Sequence, residues 1–127
     1  MFIEKTEKET ILKPLQIVTG IVERKQTLPI LSNVLIEKEA DKIRFTATDL
    51  EIQITTIIQK ISSNEETCAI TVGGKKIQDI LRILPDQSKV SVELKENKAI
   101  IKCDKSKFSL QTLPAQDFPK LSSQLEN

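Results

Sequence analysis

The sequence predicts an α+β domain built from two βαβββ units, whose two helices pack on antiparallel sheets. Three observations predict it. Apolar residues alternate with period two along several short runs. They recur at helical spacing in two others. The order strand, helix, three strands then occurs twice, although the two halves share little residue identity. Each half offers an apolar sheet face and one amphipathic helix to cover it, and neither buries its own core well, so the halves are expected to pack together.

Residues 2–5 alternate and predict a short strand. Ile11, Leu15, Val18 and Val22 follow at helical spacing, and Thr6 with Glu9 is placed as a capping box at the helix start. Pro14 falls inside this pattern, where it should kink the helix or distort its first turn. Gly20 loosens the end. Residues 34–39 are apolar and extended. Residues 42–48 set Ile43, Phe45 and Ala47 on one face, and residues 51–60 set Ile52, Ile54, Thr56 and Ile58 on one face. Polar turns at 40–41 and 49–50 join these strands into a meander. Asp49 and Glu51 read as turn residues rather than an acid/base pair.

The pattern restarts with Cys68, Ile70 and Val72 on a strand that Gly73-Gly74 breaks. Ile77, Ile80, Leu81 and Leu84 mark a second helix, ended by Pro85. Strands follow at 89–95 and 98–103, joined by a Glu96-Asn97 turn, and at 106–112. Residues 113–127 are polar, with Pro and Ser, and Asp117 is placed to cap a turn before Phe118-Pro119. The expected organisation is one domain over 1–120, with 121–127 the start of a linker.

The composition excludes several function classes. The chain has 127 residues, enough for one core, and a formal net charge of +1. It is not a strongly basic nucleic-acid binder throughout, so any such contact comes from local clusters. Aromatic residues make up 3%, without Trp or Tyr, which argues against gripping bases by stacking. There is no His, which removes the commonest general base and metal ligand. Cys68 and Cys103 form no CxxC pair and have no His to activate them, so they read as buried free thiols. No catalytic residue, metal site or cofactor is expected. Gly73-Gly74-Lys75-Lys76 opens a helix but lacks the spacing of a phosphate loop. The charged N-terminus has no apolar segment after it, and no run reaches membrane-spanning length, so a cytoplasmic location with no membrane partner is expected.

Three runs carry a resemblance: Thr27-Leu-Pro-Ile-Leu-Ser-Asn33, Thr48-Asp-Leu-Glu51 and Thr112-Leu-Pro-Ala-Gln-Asp-Phe-Pro119. Lys13-Pro14-Leu15 and Phe108-Ser-Leu110 add to it. In this order, over nearly all of residues 1–125, they resemble the first domain of the bacterial sliding-clamp family, the beta subunits of DNA polymerase III. The resemblance implies two βαβββ units related by a pseudo-twofold. It implies three such domains per subunit and two subunits closed head to tail into a ring, with helices lining the hole. Such a ring encircles duplex DNA and tethers the replicative polymerase. It is a processivity factor and a non-catalytic subunit of the polymerase III holoenzyme.

By the same resemblance Arg24, Lys25, Lys75 and Arg82 are DNA-facing, in sequence-blind contact with phosphates. Lys75, Gln78, Asp79 and Arg82 share the helix face opposite the Ile/Leu stripe. Lys8 and Lys13 are weaker candidates, offset by Glu7 and Glu9. Lys76, Lys105, Lys107, Phe108 and Leu110 fall at the subunit interface, as an edge strand with an apolar plug and a charged rim. Contacts with polymerase subunits and the clamp loader belong to domains absent from this chain. Lys at 75, 105 and 107 stands where relatives often carry Arg, so these contacts lack the bidentate fork. Gln26 and Gly73-Gly74 also depart from the family pattern. The alternative is a stand-alone protein-interaction adaptor domain with the same fold. An enzyme is disfavoured by the missing His.

Overall fold

A computed structural model describes residues 3–21, 29–39, 42–49, 51–59 and 68–119. Eight strands form one antiparallel sheet: β1 (Ile3–Glu7), β2 (Asn33–Glu39), β3 (Lys42–Thr48), β4 (Gln53–Gln59), β5 (Cys68–Gly73), β6 (Lys89–Lys95), β7 (Lys98–Cys103) and β8 (Ser106–Leu113). Two helices, α1 (Lys8–Val18) and α2 (Gly74–Ile83), follow β1 and β5. The twofold βαβββ repeat of the sequence is thus the order of the chain.

The two units exchange strands. The sheet runs β1-β6-β7-β8-β5-β2-β3-β4, so the first strand of each unit pairs with the second strand of the other. Ile3 lies opposite Val92, and Val34 lies opposite Val72. Each half therefore completes the other's sheet, a stronger interdependence than the packing of two finished halves. The two four-stranded halves of the sheet join between β5 and β8, both of the second unit, where only Thr71↔Leu113 and Val72↔Thr112 are in register. A polar stitch reinforces that short seam. Asn33 Nδ2 donates to Thr71 Oγ1 at 3.0 Å, and the Thr71 hydroxyl donates to the Leu113 carbonyl at 3.0 Å.

Period-two spacing of apolar residues explains the strands. In β3 Ile43, Phe45 and Ala47 are each fully buried, and Val90, Val92, Ala99 and Ile101 continue the same face across β6 and β7. Both helices lie on that face. Ile11, Leu12, Leu15 and Val18 of α1 and Ile77 and Leu81 of α2 join the strand residues in one core. Each such side chain contributes roughly 1.5–3 kcal/mol on leaving water.

The helices run antiparallel, pinned at both ends. Lys8, at the start of α1, is buried and donates from Nζ to the carbonyl of Leu84, just past the end of α2, at 2.6 Å. Thr19, which caps the end of α1, donates its hydroxyl to Gln78 Oε1 of α2 at 2.7 Å. Gly74 sits beneath this contact. A Cβ there would lie 2.8 Å from Val34 Cγ2 and 3.0 Å from Thr19 Cγ2, so only glycine allows the approach.

Four local expectations are corrected. The cap of α1 is Glu7, without a side-chain hydrogen bond, and Thr6 lies in β1. Pairing with β6 holds Thr6 extended and overrides the capping-box pattern. The helix ends at Val18 and passes into a 3₁₀ turn over Thr19–Ile21, whereas Val22 lies outside the described residues. Ile52 belongs to the turn and is 53% exposed, while Ile54, Thr56 and Ile58 are the inward residues of β4. Asp49 holds that turn, accepting from the N–H groups of Ile52 at 2.8 Å and Glu51 at 2.9 Å. The turn at Ala115–Asp117 is closed by backbone bonds, Asp117 N–H to Pro114 and Phe118 N–H to Ala115, not by the Asp117 side chain. Residues 120–127, with the expected linker, lie outside the described residues.

Candidate nucleic-acid interface and docking edge

Helix α2 presents the candidate basic face. Gly73 is the residue that caps its start, and Ile77 and Leu81 turn one side into the core. Lys75, Lys76, Asp79 and Arg82 remain exposed on the other. The Arg82 guanidinium lies 3.8 Å from the Asp79 carboxylate, an exposed i,i+3 pair. Its charge is therefore partly answered within the helix. Among the described residues no ion pair engages Lys75 or Lys76, so they are the less compensated cations of this face. Lys13 of α1 is exposed as well.

Two residues expected on the solvent side are elsewhere. Gln78 is half-buried and faces α1, where it accepts from Thr19. Lys8 is 3% exposed and serves as an interhelical pin. Nothing in the local sequence marks Lys8, because its carbonyl partner lies 76 positions along the chain. Arg24 and Lys25 lie outside the described residues.

The second candidate region is the free flank of β8. The strand pairs with β7 along residues 106–111 but with β5 only at Thr112 and Leu113. Along 106–111 its other backbone edge meets no strand among the described residues. Phe108 lies opposite Ile101, and Leu110 opposite Ala99. Both are half-buried against the core on the inward face. That position accounts for them as core residues and leaves part of each at the open edge. Lys105 and Lys107 are exposed beside them, and α2, which carries Lys76, packs along β8. The fold thus gathers all five residues onto α2, β8 and the turn that leads into β8.

Glu93 and Cys103 have places in the fold itself. Glu93 accepts from Lys102 Nζ at 3.0 Å, and this bond holds its carboxyl below the usual range. Cys103 is a buried free thiol, while the Cys68 side chain lies outside the described residues. Among the described residues no helix is long and apolar enough to cross a membrane.

A curled antiparallel sheet of exchanged βαβββ halves, with two antiparallel helices on one face and a basic helical surface, defines a clamp-type domain. The chain belongs to the family of the DNA polymerase III beta subunit, N-terminal domain, whose model matches residues 2–122. It is 42% identical over 113 residues to the beta sliding clamp of Pseudomonas putida, covering 89% of this chain and 30% of that protein. With the beta sliding clamp of Haemophilus influenzae it shares 36% over 115 residues, 91% of this chain and 31% of that one. The fold superposes on the crystal structure of the DNA polymerase III subunit beta from Pseudomonas aeruginosa with a TM-score of 0.87 at 39% identity. That match covers 94% of this chain and 32% of the other. The DNA polymerase sliding clamp from Caulobacter crescentus gives a TM-score of 0.87 at 35% identity, over 96% and 33%. The chain spans about a third of the length of these relatives.

Proposed function

We propose that the chain acts as the first domain of a ring-shaped replication clamp that encircles duplex DNA and holds the replicative polymerase on it. In this reading it is a non-catalytic part of the polymerase III holoenzyme, working in the cytoplasm. The helices face the DNA, and Lys75 leads the contact, with Arg24, Lys25 and Arg82. The flank of β8, with Phe108 and Leu110 between Lys105 and Lys107, receives a partner subunit in a head-to-tail dimer, and Lys76 adds to its rim. Residues 121–127 lead toward further domains, which receive the polymerase and the loader.

The observation that carries the reading is the helical layer. It buries its apolar stripe on the sheet and leaves Lys13, Lys75, Lys76 and Arg82 outward without an aromatic base platform. Such a face attracts phosphates without reading sequence, and a ring that slides needs that property. The sum of a few exposed cations is weak on its own.

Fluorescence anisotropy of the chain with linear duplex, across a salt series, tests this. Expected are sequence-independent binding weaker than about 1 μM at physiological salt, and a salt slope that falls by about one unit in Lys75→Ala. Sub-micromolar binding, or a slope unchanged by Lys75→Ala, contradicts the assignment.

A further inference from the structure

The outward face of β6, β7 and β8, on the side of the sheet away from the helices, gathers cations. The strand residues on that face include Lys95, Lys98, Lys102 and Lys107, against the one carboxylate of Glu93. The whole chain carries a net charge of only +1, so this is a local concentration. Two lysine pairs stand directly opposite one another across the ladder, Lys95↔Lys98 and Lys102↔Lys107. Like charges so placed destabilise a sheet. Glu93 relieves the second pair, accepting from Lys102 Nζ at 3.0 Å. Among the described residues no ion pair engages Lys95, Lys98 or Lys107. A face that keeps opposed ammonium groups against its own stability fits an anionic partner.

These side chains border a groove lined by Lys95, Lys98, Ile100, Lys107, Ser109 and Gln111. Ile100 is its buried apolar floor, and the polar residues around it are exposed. The groove is formed in advance, because the Thr112 N–H donates to the Asn97 carbonyl at 2.9 Å and fixes the β6–β7 turn against β8. Lys98 and Lys102 lie four residues apart on β7, so the two cationic ends are ~13 Å apart at ~3.3 Å per residue. An extended peptide sets carboxylates four positions apart at the same spacing and on the same side. One acid then bridges Lys95 and Lys98, the other meets Lys107, and Ser109 and Gln111 face the peptide backbone between them. The lining has no aromatic side chain and includes the Glu96 carboxylate at its rim. A nucleic-acid strand would find no stacking platform there and a repelled phosphate.

We propose that the outward face of β6–β8 docks an extended acidic segment of a partner protein, with carboxylates four positions apart, in the groove between Lys95, Lys98 and Lys107. The inference does not rest on the DNA-facing reading, because this face lies on the other side of the sheet from the helical layer.

Fluorescence anisotropy of the full chain with a labelled synthetic peptide tests it. The probe is a Gly-Ser sequence carrying Asp at two positions four apart, and its control carries Asn at both. The Asp peptide should bind saturably and more weakly as salt rises, and the Asn peptide should not bind. Lys95→Gln and Lys98→Gln should each weaken binding about three- to fivefold, the size of an exposed charge pair. Lys89→Gln removes the same charge from β6 outside the groove and should leave binding unchanged. Lys95→Glu combined with Lys98→Glu should abolish it, and if that double variant fails to fold the two single variants still decide. The free Lys98→Gln chain should melt at or above the wild-type Tm, because a like-charge contact is removed. Absent binding, equal binding of the Asn peptide, or binding that survives both single variants overturns the proposal. So does a Lys98→Gln chain less stable than the wild type. Displacement of the peptide by oligothymidylate at a lower concentration than unlabelled peptide requires would make this a phosphate site and overturn it as well.

Discussion

The ammonium of Lys8 donates to the carbonyl oxygen of Leu84 at 2.6 Å, and this buried bond ties the start of α1 to the end of α2. Asp86 is 3.8 Å from the same ammonium but almost wholly exposed, so solvent screens that contact. Lys8→Met keeps the apolar stem and removes the donor, leaving the Leu84 carbonyl without it. Urea unfolding of Lys8→Met should show a loss of about 1–3 kcal/mol. Asp86→Asn should stay within about 0.5 kcal/mol of the wild type. Equal effects would show that the ion pair, not the buried bond, holds the helices together.

Gly74 lies under the other end of the helix pair. Gly74→Ala adds a methyl group 2.8 Å from Val34 Cγ2 and 3.0 Å from Thr19 Cγ2, so those side chains must shift. Overpacking of this kind costs about 1–3 kcal/mol, more than the roughly 1 kcal/mol that alanine contributes to helix propensity. A Cβ at Gly20 meets nothing within 4 Å. Thermal melts should therefore show a lowered Tm for Gly74→Ala and an unchanged or raised one for Gly20→Ala.

Thr71 joins the two sheet halves through its hydroxyl, which accepts from Asn33 and donates to Leu113. Thr71→Val preserves shape and removes both bonds. The buried Asn33 amide then loses its partner, at about 1–3 kcal/mol. Hydrogen exchange should accelerate first at the β5–β8 seam, because only two register pairs support it. Uniform acceleration across the sheet would contradict a local role for the stitch.

Backbone N–H groups of Ile52 first, then Glu51, hold the Asp49 carboxyl below its ordinary value of 3.8. A carboxylate with a depressed folded pKa stabilises the fold above its unfolded pKa. That contribution is lost as pH falls through the folded value. The 49–52 turn should therefore loosen only under acid conditions, below about pH 4. Asp49→Asn retains an acceptor oxygen, so the protection of the Glu51 and Ile52 amides, relative to their intrinsic exchange rates, should lose its acid dependence in that variant. An acid-sensitive turn in Asp49→Asn would exclude Asp49 as the responsible group.

The fold was legible because apolar residues follow period two in β3 and period 3.6 in α2, where Ile77 and Leu81 point inward as spaced. Strand exchange was not legible. The pairing of β1 with β6 joins residues some eighty positions apart, and nothing local in Ile3–Glu7 names its partner. The same reason hid Lys8, whose flanking acids suggested a solvated charge, and Gln78, whose spacing placed it beside Lys75 although Thr19 turns it toward α1. The basic and apolar candidates on α2 and β8 came from family resemblance, and the fold brings them onto neighbouring elements. Exposure alone does not reveal a role for a lysine.

The most direct test places this chain in the ring it is proposed to build. It replaces the first domain of the Pseudomonas putida beta sliding clamp, and the chimera is loaded onto nicked circular duplex by that clamp's loader. After gel filtration in high salt, the chimera should co-elute with circular DNA and be lost once the circle is cut. A chimera that dimerises yet elutes apart from the circle, or stays equally on circular and linear DNA, would contradict the clamp assignment.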